Sequence, residues 1–454
     1  MPAEELLEVS EILRAQAREK GFLLQGENRQ ERLIPLGLTP WVVTAESARY
    51  LQTLFGGIRR TVNRVLGHYF EDPKLQAILP LNESELRWLE KSCGGGFPRP
   101  QTIFERFDTN LGPNVEEELG HFQIIEFNAV GIGCVYLAPA ATQLLAQHLI
   151  PRISSALTSL PLAAPPDYRQ LLLWTLKLHA KAMDLSACRL GLVERRESTI
   201  GGVDEFAKLV EFFSAAGTPS ILGDPRDIEH KNDDFFLKGE PVDVVYRDFQ
   251  LEEVVSIKTH GGSVEGMEAA FLKNRVVSTV FGEFDHKSLC ELLTNPDFSS
   301  YLSPQEVKAA RHRIPWTRLI EERRTTDRDG KEVDLVPTIR GDRERLVLKP
   351  NRGYGGEGVV VGEQVSASEW EAATARAVEK PKSWVAQERV PIARAPVMVL
   401  RESGRPKLEE QYVTLGVTAT PKGVAFVGRS SEQPVVNITQ GGGLVPVFLA
   451  TRNK

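Results

Sequence analysis

Two stretches of the chain carry residue types at spacings that suit phosphate chemistry. The first is "VLKPNRGYGGEGVVVG", Val347–Gly362, in which Lys349 precedes a turn holding Gly353, Gly355, Gly356 and Gly358. Glycines let backbone N–H groups approach phosphate oxygens with no Cβ in the way. A lysine near the end of the preceding strand supplies a point charge to the same oxygens. The pattern is neither G-x-x-x-x-G-K-[ST] nor a G-x-G-x-x-G turn that opens a helix. Taken alone, it is equally compatible with a tight hairpin beside a solvated lysine.

The second is a pair of β-like runs, "IFERFD" and "FQIIEFN". Strand side chains alternate between faces, so Arg106 and Asp108 share one face, as do Glu126 and Asn128. If the runs pair, an arginine, two carboxylates and an amide oxygen converge. Hard oxygen ligands suit magnesium, which takes few carboxylates and completes its shell with phosphates and water. The arginine complements charge on a transferring phosphoryl group. The alternative is a solvent-facing strand pair with a salt bridge from Arg106 to Asp108 or Glu126. Each stretch supplies the half of a nucleotide–magnesium site that the other lacks.

These residues need elements to position them. Ala48, Leu51, Phe55, Ile58, Val62 and Val65 recur at steps of three and four, which predicts one apolar helical face with Thr44 as its N-cap. After about Ser186 the pattern changes. "CRLGLVER", "PSILGD" and "VDVVYRDF" read as short buried strands, and "VDEFAKLVEFFSAAG" as a helix between the first two, which suggests a parallel, Rossmann-like layer. From about His286, "LVLKP" and "GVVVG" flank the glycine turn as paired strands, "SASEWEAATARAVEK" is a helix capped by Ser366 or Ser368, and "WVAQERV" and "QYVTLGVTAT" are further strands. The charge run "EERRTTDRDGKE" reads as a solvated loop. Three units are expected: a largely helical region with the two acidic strands over 1–185, the Rossmann-like layer over 186–285, and a nucleotide-binding region with the glycine flap over 286–454.

Composition narrows the function. A chain of 454 residues is long enough for two or three domains. Its net charge of -6 offers no global attraction to nucleic acid or an anionic membrane, so neither is an expected partner. The four cysteines form no C-x-x-C pair and the eight histidines show no metal-ligand spacing, so structural zinc and a disulfide framework are not expected. The N-terminal stretch is charged and lacks the apolar centre of a secretory signal, and no run approaches about 18 apolar residues. The cytoplasm is the expected location.

In their order along the chain, "RFD" (106–108), "IIEFNA" (124–129), "ILGDPRDIE" (221–229), "PVDVVYRDF" (241–249), "DHKSLCELL" (285–293), "VLKPNRGYGGEGV" (347–359), "WVAQERV" (384–390) and "VVNITQGGG" (435–443) resemble the circularly permuted ATP-grasp proteins related to glutathionylspermidine synthase. The resemblance implies a mixed α/β, multi-domain fold in which the acidic strands precede the flap. It implies ATP and magnesium as ligands. Asp108, Glu126 and Asn128 would hold the metal, and Lys287 and Lys349 would contact phosphates. Gly353, Gly355, Gly356 and Gly358 would form the flap. Gln387, Glu388 and Val390 would lie along the adenine edge, and Asn437 would line the site. Arg106 would stabilise the transferred phosphoryl group, and Arg429, in "VGRSSEQPVVN", is a second and lesser candidate for the same charge. The implied activity is carboxylate–amine ligation through an acyl phosphate, with a small-molecule or peptide carboxylate and an amine as substrates. The alternatives are an inactive ATP-binding scaffold and a phosphotransferase. Related proteins are often dimers, so a homodimer is among the assemblies to expect.

Overall fold

The computed structural model describes residues 2–25, 31–93, 96–153, 161–197 and 204–450. Among these, no helix is long and apolar enough to cross a membrane. The elements that position the site begin with strand β1 (Leu36–Gly37), helices α1 (Ala45–Leu66) and α2 (Glu83–Cys93), and strands β2 (Arg106–Thr109) and β3 (Ile124–Asn128). Strands β4 (Leu190–Glu194), β5 (Ser220–Gly223), β6 (Val244–Asp248) and β7 (Val276–Val277) follow. Then come β8 (Thr317–Leu319), β9 (Leu346–Pro350), β10 (Val360–Val361) and β11 (Trp384–Glu388), and finally β12 (Arg394–Leu400), β13 (Lys407–Thr420), β14 (Gly423–Ser431) and β15 (Gly443–Val445).

Three sheets surround one cavity. The largest runs β12-β1-β15-β14-β13-β2-β3, and β12 also pairs with β13, which closes five of its strands into a ring. The acidic strands β2 and β3 extend this sheet through antiparallel pairing of Phe107–Thr109 with Leu415–Val417. Helix α1 covers the sheet. Of its expected apolar face, Ala48, Leu51, Phe55, Val62 and Val65 are buried and Ile58 is partly buried, and Thr44 Oγ1 accepts from Ser47 N at 3.1 Å as N-cap. Phe55 stacks on Phe107 at 4.5 Å between ring centroids. Because strand side chains alternate, anchoring Phe107 under α1 turns Arg106 and Asp108 to the opposite face.

The second sheet is parallel throughout, in the order β7-β6-β4-β5. Leu190, Leu192, Val244 and Val245 are fully or almost fully buried, which a parallel layer requires because both its faces are covered. The run "RVVSTVFG" supplies only the two residues of β7 before a 3-10 turn over Val280–Phe284. The third sheet, β8-β11-β9-β10, is antiparallel. It has a core of its own in which Trp316, Ile320, Leu348, Trp370 and Ala386 pack together. Ser366, rather than Ser368, caps the helix Ala367–Glu379.

The charge run at 321–332 is not an open loop. Arg324–Thr326 pairs with Glu332–Asp334 as a hairpin. Asp327 Oδ1 accepts from Asp329 N at 2.9 Å and Lys331 N at 2.8 Å, closing the turn locally.

Candidate nucleotide site

The register of β2 on β3 sets Arg106 opposite Asn128 and Asp108 opposite Glu126. All four side chains therefore lie on one face, while Phe107 and Phe127 pair on the other. Arg106 Nε donates to Asp108 Oδ1 at 2.7 Å and Nη1 to Gly133 O at 2.9 Å. Arg429, from β14, reaches Asp108 Oδ2 at 2.9 Å, and Asn128 Nδ2 donates to the same oxygen at 3.1 Å. Burial alone would raise the Asp108 pKa, but the two guanidinium groups outweigh it and hold the carboxyl well below the usual range. Gly416 lies opposite Asp108 on β13, and a Cβ there would stand 2.6 Å from Arg106 Cδ. Glycine is what lets the arginine lie flat across the strand.

Lys287 and Lys349 enter from the other side. Lys287 Nζ is 3.0 Å from Glu126 Oε1 and donates to Gly353 O at 2.7 Å, joining the acidic strand to the flap. Lys349, on β9, donates to Gln387 Oε1 at 2.6 Å, and Gln387 Nε2 donates to Thr317 Oγ1 at 3.0 Å. Both lysines are only 8% exposed. Burial pushes Lys349 down to about 8, against the opposing pull of Glu126. Four cations thus face two carboxylates at this end of the cavity. Arg429 Nε and Thr414 Oγ1 are also buried there without a partner among the described residues. The end is short of negative charge and of acceptors.

The cavity has a volume of about 1170 Å³ and receives a wall from each sheet. Of the residues expected from the sequence, Arg106, Asp108, Glu126, Asn128, Lys287, Lys349, Gly353, Gly355, Gly356, Gln387, Glu388, Val390, Arg429 and Asn437 all line it. Gly358 does not: with φ +73, a Cβ there would stand 3.0 Å from Pro350 Cγ at the foot of the turn. Several of these side chains are committed to neighbours. Gln387 holds Lys349. Glu388 pairs with Arg328 at 2.6 Å, and its backbone N–H donates to Trp316 O at 2.7 Å. Asn437 Oδ1 accepts from Thr439 N at 2.9 Å and Thr439 Oγ1 at 2.8 Å.

The carboxyl ends of β4 and β6 give the parallel sheet's contribution to the wall, including Glu194 and Asp248. Burial first, then Glu194, Glu253 and Glu205, pushes Asp248 up to about 7. Asp285, also buried, accepts from Ala129 N at 2.9 Å and Val130 N at 3.3 Å and so fixes the turn that follows β3. Periodicity carries no signal for the structural parts played by Asp285 or the Gln387 side chain, because both arise from tertiary contacts. Two carboxylates and a carboxamide oxygen are hard donors of the kind magnesium takes, and one contact from each would leave half of an octahedral shell for phosphate and water. Among the described residues there is no cluster of three or more His, Cys, Asp or Glu side chains able to enclose a metal by themselves.

Residues 330–425 match the family described as circularly permuted ATP-grasp type 2. The structure of a glutathione synthetase-like effector from Globodera pallida, in its apo form, superposes with a TM-score of 0.63 over 99% of this chain and 98% of that one, at 12% identity. An uncharacterised protein of Mycobacterium tuberculosis is 27% identical over 241 residues, and one of Mycobacterium leprae is 35% identical over 107. The match to the M. tuberculosis protein spans 49% of this chain and 40% of that relative's length, and the match to the M. leprae protein spans 22% and 18%. The chain has the circularly permuted ATP-grasp fold, as its resemblance to those proteins implied, with the acidic strands ahead of the flap in sequence and beside it in space.

Proposed function

We propose that the protein is an ATP- and magnesium-dependent ligase that joins a carboxylate to an amine. The observation that carries this reading is the buried, anion-deficient end of the cavity, where, among the described residues, the Lys349 ammonium has only a neutral amide as hydrogen-bond partner. Glu126, already paired with Lys287, offsets only part of that buried charge; a buried cation so incompletely balanced is costly, and a triphosphate supplies the missing charge. In this reading Lys349 and Lys287 grip phosphates beneath the flap. The end of β11 and the two residues after it, Gln387 to Val390, border the adenine, and Asn437 closes the wall. Asp108, Glu126 and Asn128 would hold magnesium, which draws charge from the phosphate oxygens when bound.

Arg106 and Arg429 face the γ-phosphoryl group. A substrate carboxylate oxygen attacks the γ-phosphorus and ADP leaves, giving an acyl phosphate. The amine nitrogen then attacks the acyl carbon, the bond to the phosphate oxygen breaks, and the nitrogen gives up a proton. The chain needs no covalent nucleophile. It positions the reactants and balances charge, and a closed flap keeps water from the acyl phosphate.

The test is thermal stabilisation by ATP with magnesium, followed by phosphate release over a panel of amino acids, peptides and polyamines. The expected result is stabilisation that Lys349→Ala abolishes, and an amide product by mass spectrometry only when an amine is present. Absence of any shift in the wild type refutes the nucleotide reading. A phosphorylated product formed without amine makes the protein a phosphotransferase.

A further inference from the structure

The glycine turn is folded down over the cavity although its backbone is unusually free. Gly353, Gly355, Gly356 and Gly358 all have positive φ, and only two residues of β10 pair after them. Lys287 and Gln440 hold the turn's backbone at Gly353 O and, at 2.8 Å, Gly355 O, and two side chains of the turn itself add to the restraint. Arg352 Nη1 and Nη2 donate to the two carboxylate oxygens of Glu85 at 2.7 and 2.8 Å. Glu85 lies on α2, in a part of the chain that no motif singles out, and it is 0% exposed. Two residues on, the Tyr354 hydroxyl hydrogen-bonds Gln250 and donates to Asp285 Oδ1 at 3.3 Å. Gln250 Oε1 also receives Arg352 Nη2 at 3.3 Å. The turn is therefore fastened through two side chains that flank Gly353, to α2 and to the segment joining β6 to the next helix.

We propose that Glu85 and Tyr354 are positioning residues that latch the glycine turn over the cavity. Neither need touch a reactant. A fully buried carboxylate satisfied by a bidentate guanidinium is a strong anchor, and the tyrosine adds a second point that prevents the turn from swinging about the first. The latch is a property of the free protein. Only its consequence, slow escape of nucleotide, rests on the proposed ATP site.

Limited trypsin digestion of the full-length native protein reads the latch directly, through the initial cleavage rate at Arg352–Gly353. Tyr354→Phe keeps the ring and loses both hydroxyl bonds. Glu85→Gln keeps the volume and loses the charge. The expected result is a cut at that bond faster by at least about fivefold in each variant, the change that loss of even one ordinary hydrogen bond gives, with cleavage at other sites unchanged. Dissociation of a fluorescent ATP analogue is expected to quicken by a similar factor. Unchanged cleavage at Arg352–Gly353 in Tyr354→Phe overturns the proposal, even if Glu85→Gln fails to fold. If the wild type binds no ATP analogue, the nucleotide reading falls while the digestion still decides the latch.

Discussion

Replacing Lys349 with methionine asks whether this end of the cavity is built to receive an anion. Methionine keeps most of the side-chain length and removes the charge. In the free protein the ammonium titrates at about 8, down from an ordinary 10.5, chiefly because it is buried. That difference disfavours the folded state at neutral pH by about 3 kcal/mol. Removing the donor strands Gln387 Oε1, at a cost of about 1 kcal/mol. The variant is therefore expected to be more stable than the wild type at pH 7 by about 2 kcal/mol while losing its response to ATP. The pH dependence has a definite sign. A lysine with a lowered folded pKa destabilises most where both states are protonated, below about 8, and the penalty fades as pH rises from 8 to 10.5. The advantage of methionine must shrink over that interval. Urea unfolding at a series of pH values, followed by tryptophan fluorescence, measures it. A less stable variant at pH 7, or a gap that does not narrow, refutes the account of Lys349 as a cation awaiting a phosphate.

Two further substitutions test other parts of the site's surroundings. Asp248→Asn removes a carboxyl that burial pushes up to about 7 from 3.8. The folded protein holds that proton more tightly than the unfolded chain, so the wild type loses stability as pH rises through this window. The variant's advantage in urea titrations is expected to be near zero at pH 4 and on the order of 2 kcal/mol above pH 7, allowing for solvent at the cavity wall. Arg247 and Glu283 are 0% and 1% exposed and form an ion pair that ties β6 to the 3-10 turn, with Glu283 Oε2 also accepting from Leu251 N at 2.9 Å. Glu283→Ala leaves a buried guanidinium uncompensated, and calorimetry or urea unfolding is expected to show a loss of about 3–5 kcal/mol.

Much of this architecture is legible in local pattern. Alternation placed Arg106 with Asp108 and Glu126 with Asn128, and the pairing of β2 with β3 adds only that the two faces coincide. The spacing of apolar residues from Ala48 to Val65 and the Thr44 cap describe α1 as it stands. What local pattern does not contain is partnership at long range. Gln387 reads as one more polar residue in "WVAQERV", yet its carboxamide spans Lys349 and Thr317. Glu85 looks like a solvated helix residue until Arg352, 267 positions later, is brought against it. The hairpin that takes in the charge run has no local signature, because its strands carry few apolar residues and are held by an Asp327 turn. Gly358 is indistinguishable by type from its neighbours in the flap, and only backbone direction turns it from the cavity.

The ring of strands that carries Arg429 also carries the acidic pair, because β2 pairs with β13 across some three hundred intervening residues. Such distant pairings form slowly, since a long loop must close before any contact rewards it. During synthesis the carboxylates of β2 and β3 emerge together with Arg106 but long before Lys287, Lys349 and Arg429. An unfinished chain therefore carries an acidic strand pair with a single arginine beside it, and the four-cation end of the cavity is complete only after β14 has docked. The order of segments along the chain makes the working site a report that the ring has been completed.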